Sequence, residues 1–469
     1  MMNKDSYRIE GDFLGEKHIS QDIYYGIQTV RALDNFPITN IPVEKELIIS
    51  LAEVKKAAAY ANMFTDSLSD SIGKAIIESS NEIIAGNHLN QFVVDSIQGG
   101  AGTSINMNMN EVLANRALEI MGKSKGDYNN CSPNTHVNMS QSTNDTIPTA
   151  MKIASLRLIK ELLTVMSNLR KKLDMKAKEF HEVIKMGRTH LQDAIPIRLG
   201  QEFSAYSDVI GRDIKRLEHA SKELLSVNLG ATAVGTGLNA KPEYINKVIT
   251  QLSTQINFEL SLSSNLVDST QNTDGYTTIS SLLKVSAMNL SKICNDIRLM
   301  ASGPTAGLQE IKLPVRQAGS SIMPGKVNPV MVEVMNQVTF QVAGNDLTIS
   351  MASEAGQFEL NVMEPIIIFN LLQSLKIMKN GIEVFTQYAI TGIKANVDRC
   401  KEYVDNSLGI ITALNPYLGY EVSAKIVSQA LETNMTIQEI CESQNLLSKE
   451  ELELILNPFE MTSPGIAGN

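Results

Sequence analysis

The sequence predicts a mainly α-helical protein built around a bundle of long helices. Apolar residues recur every three or four positions over long stretches, strand patterns are weak, and prolines stand beside the long segments rather than in their middles. The chain has 469 residues, which suggests about three structural units. We expect the bundle over residues 142–396, between an N-terminal domain of residues 1–141 and a C-terminal domain of residues 397–469.

The first long helix is predicted to begin at the polar run 141–145. Apolar side chains then repeat at helical spacing from Met151 to Phe180, a stripe of about eight turns. Asn144 or Asp145 is expected to cap its N-terminus, and Pro148 is tolerated in the first turn. The further long helices are predicted at residues 196–226, 274–302, 327–353 and 363–392. Helices of this length favour a bundle that packs against partner chains.

Shorter elements are expected outside the bundle. The N-terminal domain mixes short helices with loops rich in Gly and Asn, and the C-terminal domain carries shorter helices and turns. The β-branched run Phe92–Val94 lacks hairpin signals. The glycine-rich run 230–237 lacks a preceding strand and the GxGxxG order, so we interpret it as a loop rather than a dinucleotide site.

Composition and charge exclude several classes of function. The 41 basic and 51 acidic residues give a net charge of -10 without a dense basic block, which argues against nucleic acid or an anionic membrane as a partner. No apolar run of about 18 residues predicts a membrane span, and the polar N-terminus predicts no signal peptide, so we expect a cytoplasmic protein. The four cysteines are far apart, and no cluster has metal-ligand spacing. We therefore predict no metal site and no required cofactor, while a divalent cation as an activator stays open.

One loop is unusual for its length and composition. Residues 303–329 read GPTAGLQEIKLPVRQAGSSIMPGKVNP, and eight of these 27 residues are Gly or Pro. A connection this long is usually functional or mobile. Lys326 supplies a positive charge for a carboxylate, and backbone N–H groups near Gly325 can receive developing negative charge. The order of residues fits neither a P-loop nor a GxSxG elbow. A serine pair alone indicates only an ordinary loop, but the eleven-residue context 319–329 argues for function.

Three other segments are candidates for function, although each also has a purely structural interpretation. GGAGTSINMNMNEV at 99–112 fits a helix-capping loop with a Met-lined core face, and QSTND at 141–145 fits a helix N-cap. GRTHLQDAIP at 187–196 is expected to place Thr189 and His190 just after a helix, where a lone histidine is more often structural.

Together the four segments resemble the fumarase/aspartase superfamily, whose hallmark GSSxMPxKxNP is matched completely at residues 319–329. The resemblance spans nearly the whole chain, from residues 12–36 to residues 414–426. It implies an all-α, three-domain fold with a central bundle of five long helices. It also implies a homotetramer with a twenty-helix core, in which each active site draws on three subunits.

Within the superfamily the chain resembles the aspartases of the bacillar type more than the class II fumarases. The opening DIYYGIQTVRA at 22–32 and the block GGAGTSxNMN, with Ser104, are typical of aspartases, and residues 457–468 read NPFEMTSPGIAG. This implies reversible deamination of L-aspartate to fumarate and ammonia through an enediolate. A class II fumarase, which uses the same chemistry with water, is one alternative. A non-catalytic helical oligomer is another, and the intact motif residues argue against it.

The resemblance assigns roles to the residues that match the family motifs. It implies that Ser320 is the general base, that His190 lies beside the amino group, and that Glu333 orients the ring of His190. It also implies that Gly319 and Gly325 belong to a loop whose backbone amides activate the base when the loop closes.

The remaining implied residues bind the substrate. Lys326 and Asn328 are implied to bind the α-carboxylate, and Asn144 and Thr189 to lie beside the amino group. The residues implied to bind the β-carboxylate are Thr103, Ser142, Thr143 and Ser321. Hydroxyl groups that strengthen their hydrogen bonds as charge develops provide the differential binding that catalysis requires. The implied partners are therefore L-aspartate, fumarate, ammonium and further copies of this chain.

Overall fold

A computed structural model describes residues 7–469 of the protein. The α-helices are α1 (Ile27–Asn35), α2 (Lys45–Phe64), α3 (Asp70–Ile84), α4 (Thr103–Ile120), α5 (Thr143–Glu179), α6 (Leu199–Ser221), α7 (Pro242–Ile256), α8 (Asp268–Gln271), α9 (Asp274–Met300), α10 (Val330–Glu354), α11 (Glu364–Tyr388), α12 (Val397–Asp405), α13 (Asn415–Leu418), α14 (Tyr420–Thr433), α15 (Ile437–Ser443) and α16 (Lys449–Ile455). The strands are β1 (Tyr7–Asp12), β2 (Gly15–Ser20), β3 (Ile184–Thr189), β4 (Gln192–Arg198), β5 (Ser226–Val227), β6 (Ser261–Leu262), β7 (Ile311–Lys312) and β8 (Lys394–Ala395).

The five long helices of the predicted bundle are confirmed as α5, α6, α9, α10 and α11, with bounds within a few residues of those expected. α5 alone has 37 residues. Its predicted apolar stripe is largely buried: Met166, Leu169 and Leu173 are each 0% exposed, while Leu163 and Ala177 are half-buried. Burial of this stripe is the main source of stability for such a helix. Among the described helices, none combines the length and apolarity needed to cross a bilayer.

The chain divides into two compact units. The first comprises residues up to 163, 215–287 and 340–378, and within it α2 packs on α3 and α7 while α3 packs on α4. The second comprises residues 164–214, 288–339 and 379–469. There α12 and the turn at 408–414 pack on the β3–β4 hairpin, and α14, α15 and α16 share a small apolar core. The three-domain division at residues 141 and 396 stays a prediction.

The strands correct two expectations. β1–β2 and β3–β4 are antiparallel hairpins, and no strand pattern predicted either of them. Thr189 and His190 lie at the end of β3 and in the following turn, not just after a helix, and α6 begins at Leu199 rather than at residue 196. The strand pattern was hidden because a β-bulge, in which Ala194 and Ile195 of β4 face Gly187 of β3, breaks the apolar alternation.

Candidate active site

The N-termini of α4 and α5 lie side by side in the first unit. Thr103 is the first residue of α4 and is exposed, and its hydroxyl donates to the carbonyl of Gly100 at 2.7 Å. Gly102, which precedes it, has a φ of 84°, and a Cβ there would lie 3.2 Å from Ile147 on α5. Glycine therefore allows both the turn and the close approach. Two neighbouring helix N-termini form a natural site for an anion.

The side chain of Asn106 joins the two helix starts. Its amide donates to the Thr143 hydroxyl at 3.1 Å and to the Asn138 side chain at 3.2 Å. The hydroxyl of Ser142 accepts the N–H of Asn144 at 3.2 Å, so Ser142 caps α5 and our expected cap at Asn144 or Asp145 was wrong. Ser142, Thr143 and Asn144 are all half-buried, so their polar groups remain within reach of a ligand.

The buried carboxylate of Asp145 stabilises the turn at the start of α5. Asp145 accepts the N–H of Ser142 at 2.9 Å, which ties the residue before α5 to the first turn of the helix. Its second oxygen accepts the N–H groups of Gly230 and Thr232 at 3.0 and 3.1 Å. Burial raises the pKa of Asp145 to about 6, while these N–H groups and the charge of Lys55 oppose that rise. The run 230–237 is thus a loop, as predicted, and it supports the α5 turn.

Lys55 is a further residue of this site that sequence reasoning missed. Its side chain is 0% exposed, and its Nζ donates to the side-chain oxygens of Asn138 and Gln141, each at 3.0 Å. Burial lowers the pKa of Lys55 to about 7. A signal was present, because Lys55 shares the fully buried face of α2 with Leu51 and Ala58. A lysine on an apolar helix face indicates a buried polar partner.

The Ser320 loop belongs to the second unit. Gly319 donates its N–H to the carbonyl of Lys326 at 2.8 Å, and the Asn328 amide donates to the carbonyl of Gly319 at 2.6 Å. These bonds close residues 319–328 into a ring. A Cβ at Gly319 would lie 2.5 Å from the Lys326 carbonyl oxygen, so only glycine fits there. Within the ring, the Oγ of Ser320 accepts the N–H groups of Ile322 and Met323 at 3.2 and 3.0 Å.

The arrangement around Ser320 suits a base. Hydrogen bonds donated to an oxygen favour its anionic form, so both N–H groups make the alkoxide of Ser320 easier to form. Ser320 is half-buried, while Ser321 and Gly325 are exposed. Gly325 turns the chain with a φ of 81°. The side-chain amide of Asn328 donates its hydrogen bond within the ring and so stabilises the loop. The residue is half-buried.

A cavity of about 800 Å³ opens beside the ring. Lys326, Asn328 and Glu333 line it, together with Arg298 at the end of α9. Among residues 7–469, no carboxylate pairs with the exposed ammonium of Lys326. A positive charge that is free in this way is available for a carboxylate ligand.

The third cluster is the tip of the β3–β4 hairpin. His190 and Leu191 form a two-residue turn with φ values of 55° and 60°, the left-handed conformation of a type I′ turn. Asn and Gly normally occupy such positions, and a leucine there is strained. Thr189 and His190 are exposed. In the described part of a single chain, no hydrogen bond joins His190 to Glu333, so this pairing stays a prediction.

The structure thus gathers the predicted residues into clusters that are open to solvent. Thr103 and the 142–144 turn are neighbours, and the 319–328 ring and Glu333 border one cavity. Across the range 7–469, no group of three or more His, Cys, Asp and Glu side chains is placed to hold a metal ion.

The helical architecture is that of a family of lyases. A family model described as lyase matches residues 15–344, and one described as fumarase C C-terminus matches residues 410–463. The chain therefore belongs to this lyase family, the fumarase/aspartase superfamily.

Individual relatives refine the comparison. The chain is 60% identical to aspartate ammonia-lyase of Bacillus subtilis (strain 168) over 469 residues, which are 100% of this chain and 99% of the relative. The crystal structure of fumarate lyase:delta crystallin from Brucella melitensis bound to cobalt matches with a TM-score of 0.95 and 46% identity, covering 98% of this chain and 100% of that chain. Recombinant class II fumarase from Schistosoma mansoni matches with a TM-score of 0.94 and 35% identity, over 98% and 99% of the two chains. The predicted mainly α-helical fumarase/aspartase fold is thereby confirmed.

Proposed function

We propose that this protein is an aspartate ammonia-lyase, which converts L-aspartate reversibly into fumarate and ammonia. The observation that carries the proposal is the 60% identity to the Bacillus subtilis enzyme of that name over the full chain. The Ser320 ring supports it, because the two N–H groups donated to the serine oxygen favour the alkoxide that a base needs.

The reaction begins with removal of a proton from the Cβ of L-aspartate. In our proposal the Oγ of Ser320 takes this proton, and the electron pair moves into the adjacent β-carboxylate to form an enediolate. That group then carries two negative charges, so its stabilisation dominates the barrier. Collapse of the enediolate forms the Cα–Cβ double bond and expels ammonia from Cα, and the proton on Ser320 leaves to solvent.

Stabilisation of the substrate's two carboxylates is assigned to the helix starts, for the β-carboxylate, and to Lys326, for the α-carboxylate. Thr103, Ser142 and Thr143, with Ser321 from the Ser320 ring, are proposed to donate to the β-carboxylate as it becomes the enediolate. Hydroxyl groups at two adjacent helix N-termini suit this task because the partial positive charge there is fixed in advance.

The α-carboxylate and the amino group complete the substrate. Lys326 and Asn328 are proposed to bind the α-carboxylate, and Asn144, Thr189 and His190 to surround the amino group. Glu333 is proposed to orient His190. No cofactor is required in this scheme, since hydroxyl groups at the helix starts stabilise the enediolate and Lys326 binds the α-carboxylate.

We further propose that the active protein is a homotetramer in the cytoplasm. Phe340, Leu347 and Met351 lie on one face of α10 and are 65%, 63% and 64% exposed, and Met288 on α9 is 63% exposed. Large apolar side chains grouped along long helices mark a surface that packs against another chain. Further copies of this chain would cover that surface in a twenty-helix core, with each active site drawing on three subunits.

The test of the reaction is the appearance of fumarate, followed by ultraviolet absorbance, from purified protein given L-aspartate. L-Malate runs in a parallel cuvette, because the likeness to a class II fumarase favours that enzyme as the second candidate. Parallel assays with a chelator and with added Mg²⁺ test activation by a divalent cation. Signal with L-aspartate alone supports the proposal, and signal with L-malate alone replaces it with a fumarase. Silence with both in a verified tetramer contradicts both candidates.

Shared sites are tested by mixing two variants of strongly reduced activity. Chains with Ser320→Ala and chains with Thr189→Ala are unfolded, mixed and refolded, and hybrid tetramers are verified by mass spectrometry. Some activity should return, because a hybrid contains sites built only from intact segments. Verified hybrids that stay inactive would contradict the three-subunit site.

A further inference from the structure

A buried ionic cluster lies beneath the β3–β4 hairpin. Glu310 is 0% exposed, and its two carboxylate oxygens face two cations of β3. One oxygen accepts from the guanidinium of Arg188 at 2.7 Å, and the other lies 3.1 Å from the Nζ of Lys185. Lys185 also donates to Glu202 on α6 at 3.0 Å. One carboxylate therefore contacts the strand twice, through a hydrogen bond to Arg188 and an ion pair with Lys185.

A β-bulge lies beside this double attachment. The register shift leaves two residues of β4, Ala194 and Ile195, opposite the single residue Gly187 of β3. A Cβ on Gly187 would lie 2.6 Å from the Ile195 carbonyl oxygen, so the close approach of the strands at the bulge requires glycine. In a regular strand, residues three positions apart point to opposite faces, yet Lys185 and Arg188, one on each side of Gly187, both reach the same carboxylate.

The backbone of Glu310 is itself firmly held. Its N–H donates to the carbonyl of Met300 at the end of α9 at 2.9 Å, and its carbonyl accepts the N–H of Asn396 at 2.8 Å. Arg188 also lies over the ring of Tyr403 at 5.3 Å. The backbone of Glu310 is therefore fixed, and its carboxylate can hold β3 in one position.

The turn at His190 and Leu191 needs contacts that hold it in place. His190 and Leu191 occupy left-handed conformations that neither residue prefers strongly, and strained conformations persist only where their surroundings over-determine them. Thr189 is the next residue after Arg188, so a shift of the guanidinium is transmitted directly to the tip. A misplacement of about 1 Å at reacting groups can cost about 100-fold in rate.

We propose that Glu310 is a positioning residue, which holds Thr189 and His190 in their productive place by anchoring Arg188 and Lys185. The proposal rests on the proposed lyase function, since it assigns Thr189 and His190 to the substrate. Glu310 itself is buried and acts only through the strand.

The kinetic test compares four proteins: wild type, Glu310→Gln, Thr189→Ala and the double variant. Glu310→Gln keeps the shape and removes the charge, and we expect kcat for L-aspartate to fall about 100-fold with KM changed less than about threefold. Because Glu310 acts through the tip, Thr189→Ala should cost at least about tenfold less in the Glu310→Gln background than in wild type. Effects that simply multiply would overturn the proposal, as would a kcat within about threefold of wild type.

A matched control separates positioning from general loss of stability. Asp346 is likewise buried and paired with a lysine, Lys284, and it lies on none of the predicted site segments. Asp346→Asn should lower the unfolding temperature without changing kcat beyond about threefold. If Glu310→Gln does not fold, as judged by circular dichroism, Arg188→Gln takes its place, because Arg188 is the other half of the same contact.

Hydrogen exchange gives a readout that does not depend on activity. Amides of residues 184–198 should exchange at least about tenfold faster in Glu310→Gln than in wild type and in Asp346→Asn. Unchanged exchange rates of these amides would overturn the proposal that Glu310 holds the hairpin in place. If the wild-type protein fails to act on L-aspartate, the proposed function fails alone, and hydrogen exchange still decides whether Glu310 fixes the hairpin.

Discussion

Replacement of Lys55 by methionine tests the electrostatics beneath the α5 turn. Methionine has a similar length and no charge. The change removes the donor to Gln141, while the Asn138 oxygen keeps the amides of Asn106 and Asn110 at 3.2 Å each. The turn should therefore survive, and the variant should differ from wild type mainly in how many protons the native state binds.

The magnitude follows from the shifted pKa. Burial lowers the pKa of Lys55 from 10.5 to about 7 in the native state, so between these values native Lys55 is neutral while the unfolded chain carries the charge. Unfolding in this window takes up one proton, and the free energy of unfolding rises with pH by at most about 1.4 kcal/mol per unit. Below pH 7 Lys55 is charged in both states, and the stabilisation of about 5 kcal/mol that the shift represents is lost.

The assay measures proton uptake directly. Protein is unfolded with urea at pH 8.5 in weakly buffered solution, and the acid needed to hold the pH is titrated. Wild type should take up about one proton per chain more than Lys55→Met. Lys74→Met is the control, because the Lys74 ammonium lies on the surface and its removal should leave the uptake as in wild type. Equal uptake in wild type and Lys55→Met would show that native Lys55 is charged and would refute the reasoning.

Two further predictions concern the loop and the hairpin. Ser320→Ala should lower kcat by about 10²–10⁴-fold with a smaller effect on substrate binding, because the base acts mainly in the transition state; near-normal turnover would exclude Ser320 as the base. Leu191→Gly should raise the free energy of unfolding by about 0.5–1 kcal/mol in urea titrations, since relief of the left-handed strain exceeds the added entropy of the unfolded chain. Gln192→Gly, in the adjoining strand, should lower it by about the same amount, and a loss of stability in Leu191→Gly would mean that the turn is not strained.

The long helices and the site motifs could be predicted from the sequence, because a 3.6-residue apolar period and a contiguous motif are both local signals. The β3–β4 hairpin could not, since its turn is His190–Leu191 rather than a glycine-containing pair and β4 carries a bulge opposite Gly187. The buried polar contacts that support the α5 turn could not be predicted either. Lys55 meets the α5 turn across 86 residues of sequence at Gln141, and no spacing rule reveals such a contact.

The ring of residues 319–328 has a consequence for how this chemistry is inherited. The serine oxygen and the two N–H groups that prepare it belong to neighbouring residues, and the ring closes through its own backbone and Asn328. The proposed base and the groups that prepare it therefore lie in one short segment of the chain. Such a segment can move as one piece while the hydrogen bonds to the Ser320 oxygen stay in place. It can also remain unchanged while the helix starts proposed to recognise the substrate diverge, so the same proton abstraction could serve reactions with different leaving groups.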